Sequence, residues 1–309
     1  MKTLVVGSAI IDIIMKIDRL PLSGEDIICN GTQTVVGGCA YNVASTLKNM
    51  NCKHDLCVPV GSGNYANIIK NKLIENEYNI LIENKDEDNG YCLTFVESNG
   101  ERTFVTVQGI ETKFKYKWFE NINISEYDNM YISGYQIASK CADEILLWLK
   151  SLKDKKIFFA PGPVICSIEN KILEDIFSLS PIIHLNKKEI LDYTCANDVE
   201  SAIKELHKKT NNTVIVTLGA DGTIYNDLEN INIIPAIKSK VIDTIGAGDS
   251  HIGAIIASLS KGLSLHESIE VANLVASSIV QVEGPVMDLY TFNNIVKGEI
   301  KDEYAKKIF

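Results

Sequence analysis

The chain has 309 residues, 46% of them hydrophobic and 23% charged. That balance excludes a disordered chain and permits a sizeable core. Lys plus Arg total 30 against 40 Asp plus Glu, a formal charge of −10. An acidic surface repels phosphate backbones, so no nucleic-acid partner is expected. No apolar run reaches the roughly 18 residues of a membrane span, so no membrane partner is expected either.

The N-terminal stretch MKTLVVGSAIIDIIMKID has one Lys before an apolar run, as a signal peptide does. Asp12 interrupts it and no small-x-small cleavage site follows, so it reads as a buried first strand. Strands are predicted at Thr3–Val6, Leu56–Val60, Met130–Ser133, Ile157–Ala160, Ile182–Leu185 and Val214–Leu218. Helices are predicted at Tyr41–Met50, Ile68–Glu75, Ala142–Leu152 and Val199–Lys208, with a last long helical region over 251–282. Several strands are continuous apolar runs, as expected when helices cover both sheet faces. The alternation predicts an α/β fold, a doubly wound and mostly parallel central sheet covered by helices.

Two segments break this pattern. Residues 91–107 read YCLTFVESNGERTFVTV, with Asn99-Gly100 between two β-rich arms, a hairpin signal. Residues 13–36 read as short strands joined by turns at Pro21 and Ser23-Gly24. Together they predict a small antiparallel β lid on a single domain spanning 1–309. The eight cysteines show no C-x-x-C pair. Their spacing predicts reduced, mostly buried thiols in a cytoplasmic protein, without a disulfide framework or zinc.

The sharpest motif is Asp243-Thr244-Ile245-Gly246-Ala247-Gly248-Asp249-Ser250, which opens a small-residue helix predicted at His251–Leu259. Free amides at a glycine-rich helix start attract an anion. A carboxylate among them makes sense if Asp249 removes a proton from an attacking hydroxyl; the competing reading is a helix-capping Asp. There is no G-x-x-x-x-G-K-[ST] loop. Gly61-Ser62-Gly63-Asn64-Tyr65-Ala66 has the G-x-G-x-x-A form of a dinucleotide turn, with Glu83 placed for a ribose. It keeps a second class open, an NAD(P)-dependent oxidoreductase. Gly37-Gly38-Cys39-Ala40-Tyr41-Asn42 precedes a helix and offers Asn42 as donor and acceptor to a hydroxyl-bearing ligand. Thr217-Leu218-Gly219-Ala220-Asp221-Gly222 is a strand end with a glycine turn, and Asn186-Lys187-Lys188-Glu189 follows another strand.

Taken together, GGCAYNVA (37–44) and DTIGAGDS (243–250) resemble the two signatures of the PfkB, or ribokinase-like, carbohydrate kinases. Asp12, GERT (100–103), NKKE (186–189) and TLGADG (217–222) follow in the family's order. The resemblance implies Asp249 as catalytic base and the amides of Gly246, Ala247 and Gly248 as anion hole. It implies sugar contacts from Asp12, Gly38 and Asn42, and a nucleotide site from Asn186, Thr217, Gly219, Gly222 and Asn273. ATP is the implied cofactor, with Mg²⁺ held through water by Glu189 and, as in many members, K⁺ held by Asp243 and the Ile245 carbonyl.

In members acting on keto-acid sugars a D-P-N-x-R stretch commonly follows the strand near 160. Here Ala160-Pro161-Gly162-Pro163-Val164 lacks its Asp and Arg. A neutral polyol is favoured, first a free sugar and second a nucleoside stacked on Tyr91, Phe95 or Phe104. His251 either touches substrate or only packs. A homodimer through the lid is a further expectation.

Overall fold

The computed structural model describes residues 1–98, 101–227 and 230–309. The chain starts with β1 (Thr3–Val6), β2 (Ile10–Ile17), β3 (Gly31–Gly37) and α1 (Cys39–Asn49). Then come β4 (His54–Cys57), β5 (Pro59–Val60), α2 (Asn64–Glu75), β6 (Ile82–Glu83), β7 (Tyr91–Glu97) and β8 (Arg102–Val107). The middle holds β9 (Asn129–Ser133), α3 (Gly134–Ile137), α4 (Ala142–Ser151), β10 (Lys156–Ala160), α5 (Asn170–Phe177) and β11 (Ile182–Asn186). It continues through α6 (Lys187–Thr194), α7 (Val199–Thr210), β12 (Val214–Thr217), β13 (Thr223–Asp227) and β14 (Asn230–Ile234). Helices α8 (Ala247–Ser260) and α9 (Leu265–Ile279) precede shorter C-terminal helical turns.

The central sheet runs β14-β13-β12-β11-β10-β9-β1-β4. From β4 to β12 every neighbouring pair is parallel, and β13 and β14 are added antiparallel at one edge. Its apolar strands feed two cores, one on each face. Leu47, Ile252 and Ile256 of α1 and α8 pack on Val5, Leu56 and Tyr131, while Ile145, Ile176 and Ile203 pack on Leu4, Ile132 and Phe159. Alternate residues of one strand enter opposite cores, so both faces demand apolar side chains.

The predicted strand Leu56–Val60 is broken. β4 ends at Cys57, and β5 leaves the central sheet to pair with β6. Pro59 has no amide to continue the ladder. The predicted helical region 251–282 is two helices, because the first ends at the Lys261-Gly262 turn. Ser264 and Glu267 then form a capping box that starts α9. The start predicted at His251 lies four residues earlier, at Ala247.

The segments expected to form a lid make a separate sheet of order β3-β2-β7-β8. Its two hairpin pairs, β2–β3 and β7–β8, are antiparallel, and a parallel β2–β7 pairing joins them. The hairpin tip at Asn99-Gly100 lies outside the described residues. Ser8, Ser133, Asn186 and Thr217 all fall at or just past the carboxyl ends of central strands, the edge where open α/β sheets bind ligands.

Candidate active site

The site is built on the start of α8. Gly246 takes a left-handed conformation (φ 75°), and a Cβ there would lie 2.1 Å from the Pro285 carbonyl oxygen. Only glycine admits that turn. Ser250 N donates back to Gly246 O at 2.8 Å, and Ala247 N to Thr244 O at 3.3 Å. The amides of Gly246 and Gly248 have no protein partner among the described residues and remain for an anion.

Asp249 sits in the first turn of α8 without capping it. Its Oδ2 accepts from Asn42 Nδ2 at 2.8 Å. Burial pushes its carboxyl up to about 6, against hydrogen bonds from Asn42 and Cys39 that hold it down, and the Glu189 charge pushes the same way as burial. Asp12, on β2, is pushed up to about 7 by burial first and by the Asp249 charge second. The Asp249 charge thus reaches Asp12 from the start of α8. Between the two elements, at the start of α1, Gly38 has a φ of 102° and approaches the Ser8 carbonyl too closely to leave room for a Cβ. Asn42 Oδ1 is buried with no partner among the described residues and is free to accept a hydrogen bond.

The start of α8 also lines a cavity of about 580 Å³. Thr217, Gly219, Gly222 and Asn273 line it together with Ala247 and Gly248, so the predicted nucleotide residues and part of the predicted anion hole meet on one wall. Asn186 lies outside this lining. It caps α6, accepting from Glu189 N at 2.9 Å and donating to both Glu189 carboxylate oxygens at 2.8 and 2.9 Å. That clamp fixes the Glu189 carboxylate, while burial raises its pKa. The Glu189 charge in turn raises the Asp249 carboxyl.

Sequence reasoning missed the rest of the cavity lining: Ala236, Ile237, Lys238, Ser239 and Val241, Ala276 and Ser277 of α9, and Val280 just past it. Apart from Lys238 these are small or apolar residues, and none belongs to a motif. It also left the role of His251 open. His251 is buried and lines the nucleotide cavity. Asn273 Nδ2 donates to the Ile234 and Pro235 carbonyls at 3.2 and 3.1 Å, which makes its Oδ1 an acceptor. Thr223 Oγ1 donates to that oxygen at 2.6 Å, and His251 Nε2 lies 3.0 Å from it. This network assigns the His251 proton to Nε2, leaving Nδ1 to accept from His184 Nε2 at 2.9 Å. Burial pushes His251 down to about 4, so the ring is neutral at pH 7.

The dinucleotide turn does not fit its reading. The α2 amides of Tyr65 and Ala66, which a pyrophosphate would need, donate to the Asp88 carboxylate at 3.2 and 2.7 Å. A carboxylate of the chain itself fills the anion position. Glu83, placed by spacing for a ribose, is instead held by Lys70 at 2.7 Å.

The eight thiols are free; Cys52, Cys57, Cys92 and Cys141 are buried, whereas Cys166 and Cys195 are exposed. Among the described residues no helix is long and apolar enough to cross a membrane.

Comparison with known proteins places the fold and the family. The chain is 35% identical over 285 residues to the uncharacterized sugar kinase YegV of Escherichia coli (strain K12), covering 91% of this chain and 89% of that one. The adenosine kinase of Sinorhizobium meliloti shares the fold with a TM-score of 0.84 at 20% identity, over 95% of this chain and 98% of that one. The Arabidopsis thaliana ribokinase, solved with ribose and ATP, has a TM-score of 0.75 at 20% identity, over 96% of this chain and 98% of that one. Residues 1–290 match the pfkB family carbohydrate kinases. The chain belongs to that family, as a carbohydrate or nucleoside kinase.

Proposed function

We propose that this protein, a single domain over 1–309, transfers the γ-phosphoryl group of ATP to a hydroxyl of a small neutral polyol, a free sugar in the first place. One observation carries the reading. The half-buried carboxylate of Asp249, tied to Asn42, stands at the amide-lined start of α8, whose Ala247 and Gly248 line the 580 Å³ cavity, and its charge reaches Asp12. Asp12, Gly38 and Asn42 hold the acceptor. Asp249 takes the proton of the attacking hydroxyl, a general-base step. The amides of Gly246 and Gly248, with Ala247 between them, stabilise charge on the phosphoryl oxygens. Thr217, Gly219, Gly222 and Asn273 shape the nucleotide cavity. Glu189 would hold Mg²⁺ through water, and the ion would supply charge neutralisation to the phosphates.

Two of the three rings that could stack a base are engaged elsewhere, which favours the sugar: Tyr91 packs against Tyr65 with ring centroids 4.8 Å apart, and Phe104 lines a groove with Val241, Ile242 and Ile245. Phe95 is left for the nucleoside reading. The sheet of β2, β3, β7 and β8 serves as a lid over the acceptor, and its exposed Phe104, Val105 and Val107 suit pairing with a second copy. Reduced thiols in a chain of this kind fit the cytoplasm.

ADP release screened over free sugars and nucleosides with ATP and Mg²⁺ tests the reading, with turnover expected on a neutral sugar. In parallel, ATP·Mg²⁺ at 100 times Kd should stabilise the fold by about 2.7 kcal/mol and NAD⁺ should not. Stabilisation by NAD⁺ alone would defeat the kinase reading.

A further inference from the structure

The resemblance assigns Asp243 and the Ile245 carbonyl to K⁺, and the surroundings of Asp243 do not fit that ion. Its side chain is buried. Oδ1 accepts from Arg102 Nη1 at 2.9 Å and from Ile245 N at 2.7 Å, and Oδ2 accepts from Gly284 N at 3.1 Å. The guanidinium already supplies a unit positive charge at contact distance, and it repels any second cation on the same carboxylate.

Arg102 comes from β8, on the lid, while Asp243 opens the loop that leads into α8. Arg102 Nη1 also donates to Thr244 Oγ1 at 3.3 Å. One side chain thus holds two consecutive residues of the loop whose following amides face the anion site. A second ion pair, Lys16–Glu283 at 2.8 Å, links the lid to the segment beside Gly284.

We propose that Arg102 is the built-in cation of this loop, a positioning residue that does for Asp243 what a bound K⁺ would do. ATP binding and phosphoryl transfer by this chain are then independent of K⁺. The activity part rests on the kinase reading; the binding and melting parts do not need turnover.

The test titrates the full chain with ATP·Mg²⁺ by calorimetry in KCl and in choline chloride at equal ionic strength, which removes nonspecific screening. Wild-type Kd should differ by less than about threefold between the salts. Arg102→Ala should bind ATP about tenfold or more weakly in choline chloride, because Asp243 loses its counter-charge, and KCl should recover most of the loss. Arg102→Lys should behave as wild type. Rescue by K⁺ but not by choline separates positioning from mere structural damage. A wild type whose Kd or turnover improves threefold or more with K⁺ overturns the proposal, as does an Arg102→Ala protein that binds ATP like wild type in both salts. If Arg102→Ala does not fold, wild-type melting decides. A midpoint equal in the two salts supports the proposal, and a K⁺-specific rise of several degrees defeats it. If ATP binds in neither salt, the kinase reading has failed, and the same melting comparison still decides the role of Arg102.

Discussion

Asn42 Nδ2 donates to Asp249 Oδ2 at 2.8 Å, joining α1 to α8 across 207 positions of sequence. The bond links the two glycine-rich motifs into one device. It holds the Asp249 carboxylate against α1 and leaves Asn42 Oδ1 buried with no partner among the described residues.

Asp249→Asn keeps the shape of that device and removes its basicity. Loss of a general base typically costs about 10²–10⁴ in rate. We expect kcat to fall by that factor while ATP affinity holds or improves, since a negative charge beside the phosphates is gone. The fold should survive, because the Asp249 side chain makes no cap bond. Steady-state kinetics with calorimetric ATP binding measure both. A near-wild-type rate across pH 6–9 would move the base elsewhere, with Asp12 next in line.

The pH profile follows from the same contact. Asp249 titrates near 6 and acts only when ionised, so kcat/KM should rise with pH through that value. The Asn42 bond favours the ionised form. Asn42→Ala should therefore move the acid limb to higher pH and raise KM through the lost hydroxyl contact. An acid limb that stays in place would show that the bond does not tune the base.

Much of this was legible in the sequence, and the reasons are local. Gly38 and Gly246 leave a trace because backbone at φ 102° and 75° beside a carbonyl admits no side chain. Continuous apolar strands gave the parallel sheet, because both faces are packed. What stayed hidden depends on distant partners. Nothing around Gly63 announces that Asp88 fills its helix start, since the carboxylate arrives from 22 residues past Ala66. Nothing around Asp243 announces Arg102, because that ion pair forms only once the lid lies on the body. The cavity wall at Ala276 and Ser277 carries no signal at all, since a nucleotide base asks of it only small size.

The two raised carboxylates also set a stability cost. The folded-state pKa of Asp12, about 7, lies above the ordinary carboxylate value, so the folded protein holds its proton longer than the unfolded chain does. The stability this contributes is complete below the unfolded value near about 4 and is lost as pH rises through about 7. Asp12→Asn should remove that loss. Its melting temperature should exceed that of wild type at pH 8 and differ little at pH 4, at the expense of acceptor binding. Melting followed from pH 4 to 8 checks it, and parallel wild-type and variant curves would refute it.

The last expectation concerns the wall between the nucleotide cavity and the sheet. Asn273 spends its amide on the Ile234 and Pro235 carbonyls and its oxygen on Thr223 and His251. Three of the four contacts are buried, and the one to the Pro235 carbonyl is part-buried. Asn273→Ala leaves the two carbonyls short of a donor, while Thr223 Oγ1 and His251 Nε2, 3.1 Å apart, keep each other. A single buried polar group left unpaired costs about 1–3 kcal/mol. We therefore expect a loss of stability in that range or above, read by urea unfolding. The damage should also reach function, because the segment after β14 and His251 both line the cavity. ATP should bind more weakly, while Asp249 keeps its bond to Asn42 and the acid limb of kcat/KM stays near pH 6. An Asn273→Ala protein that unfolds at the wild-type urea midpoint and binds ATP with wild-type affinity would show that Thr223 and His184 hold His251 in place without it.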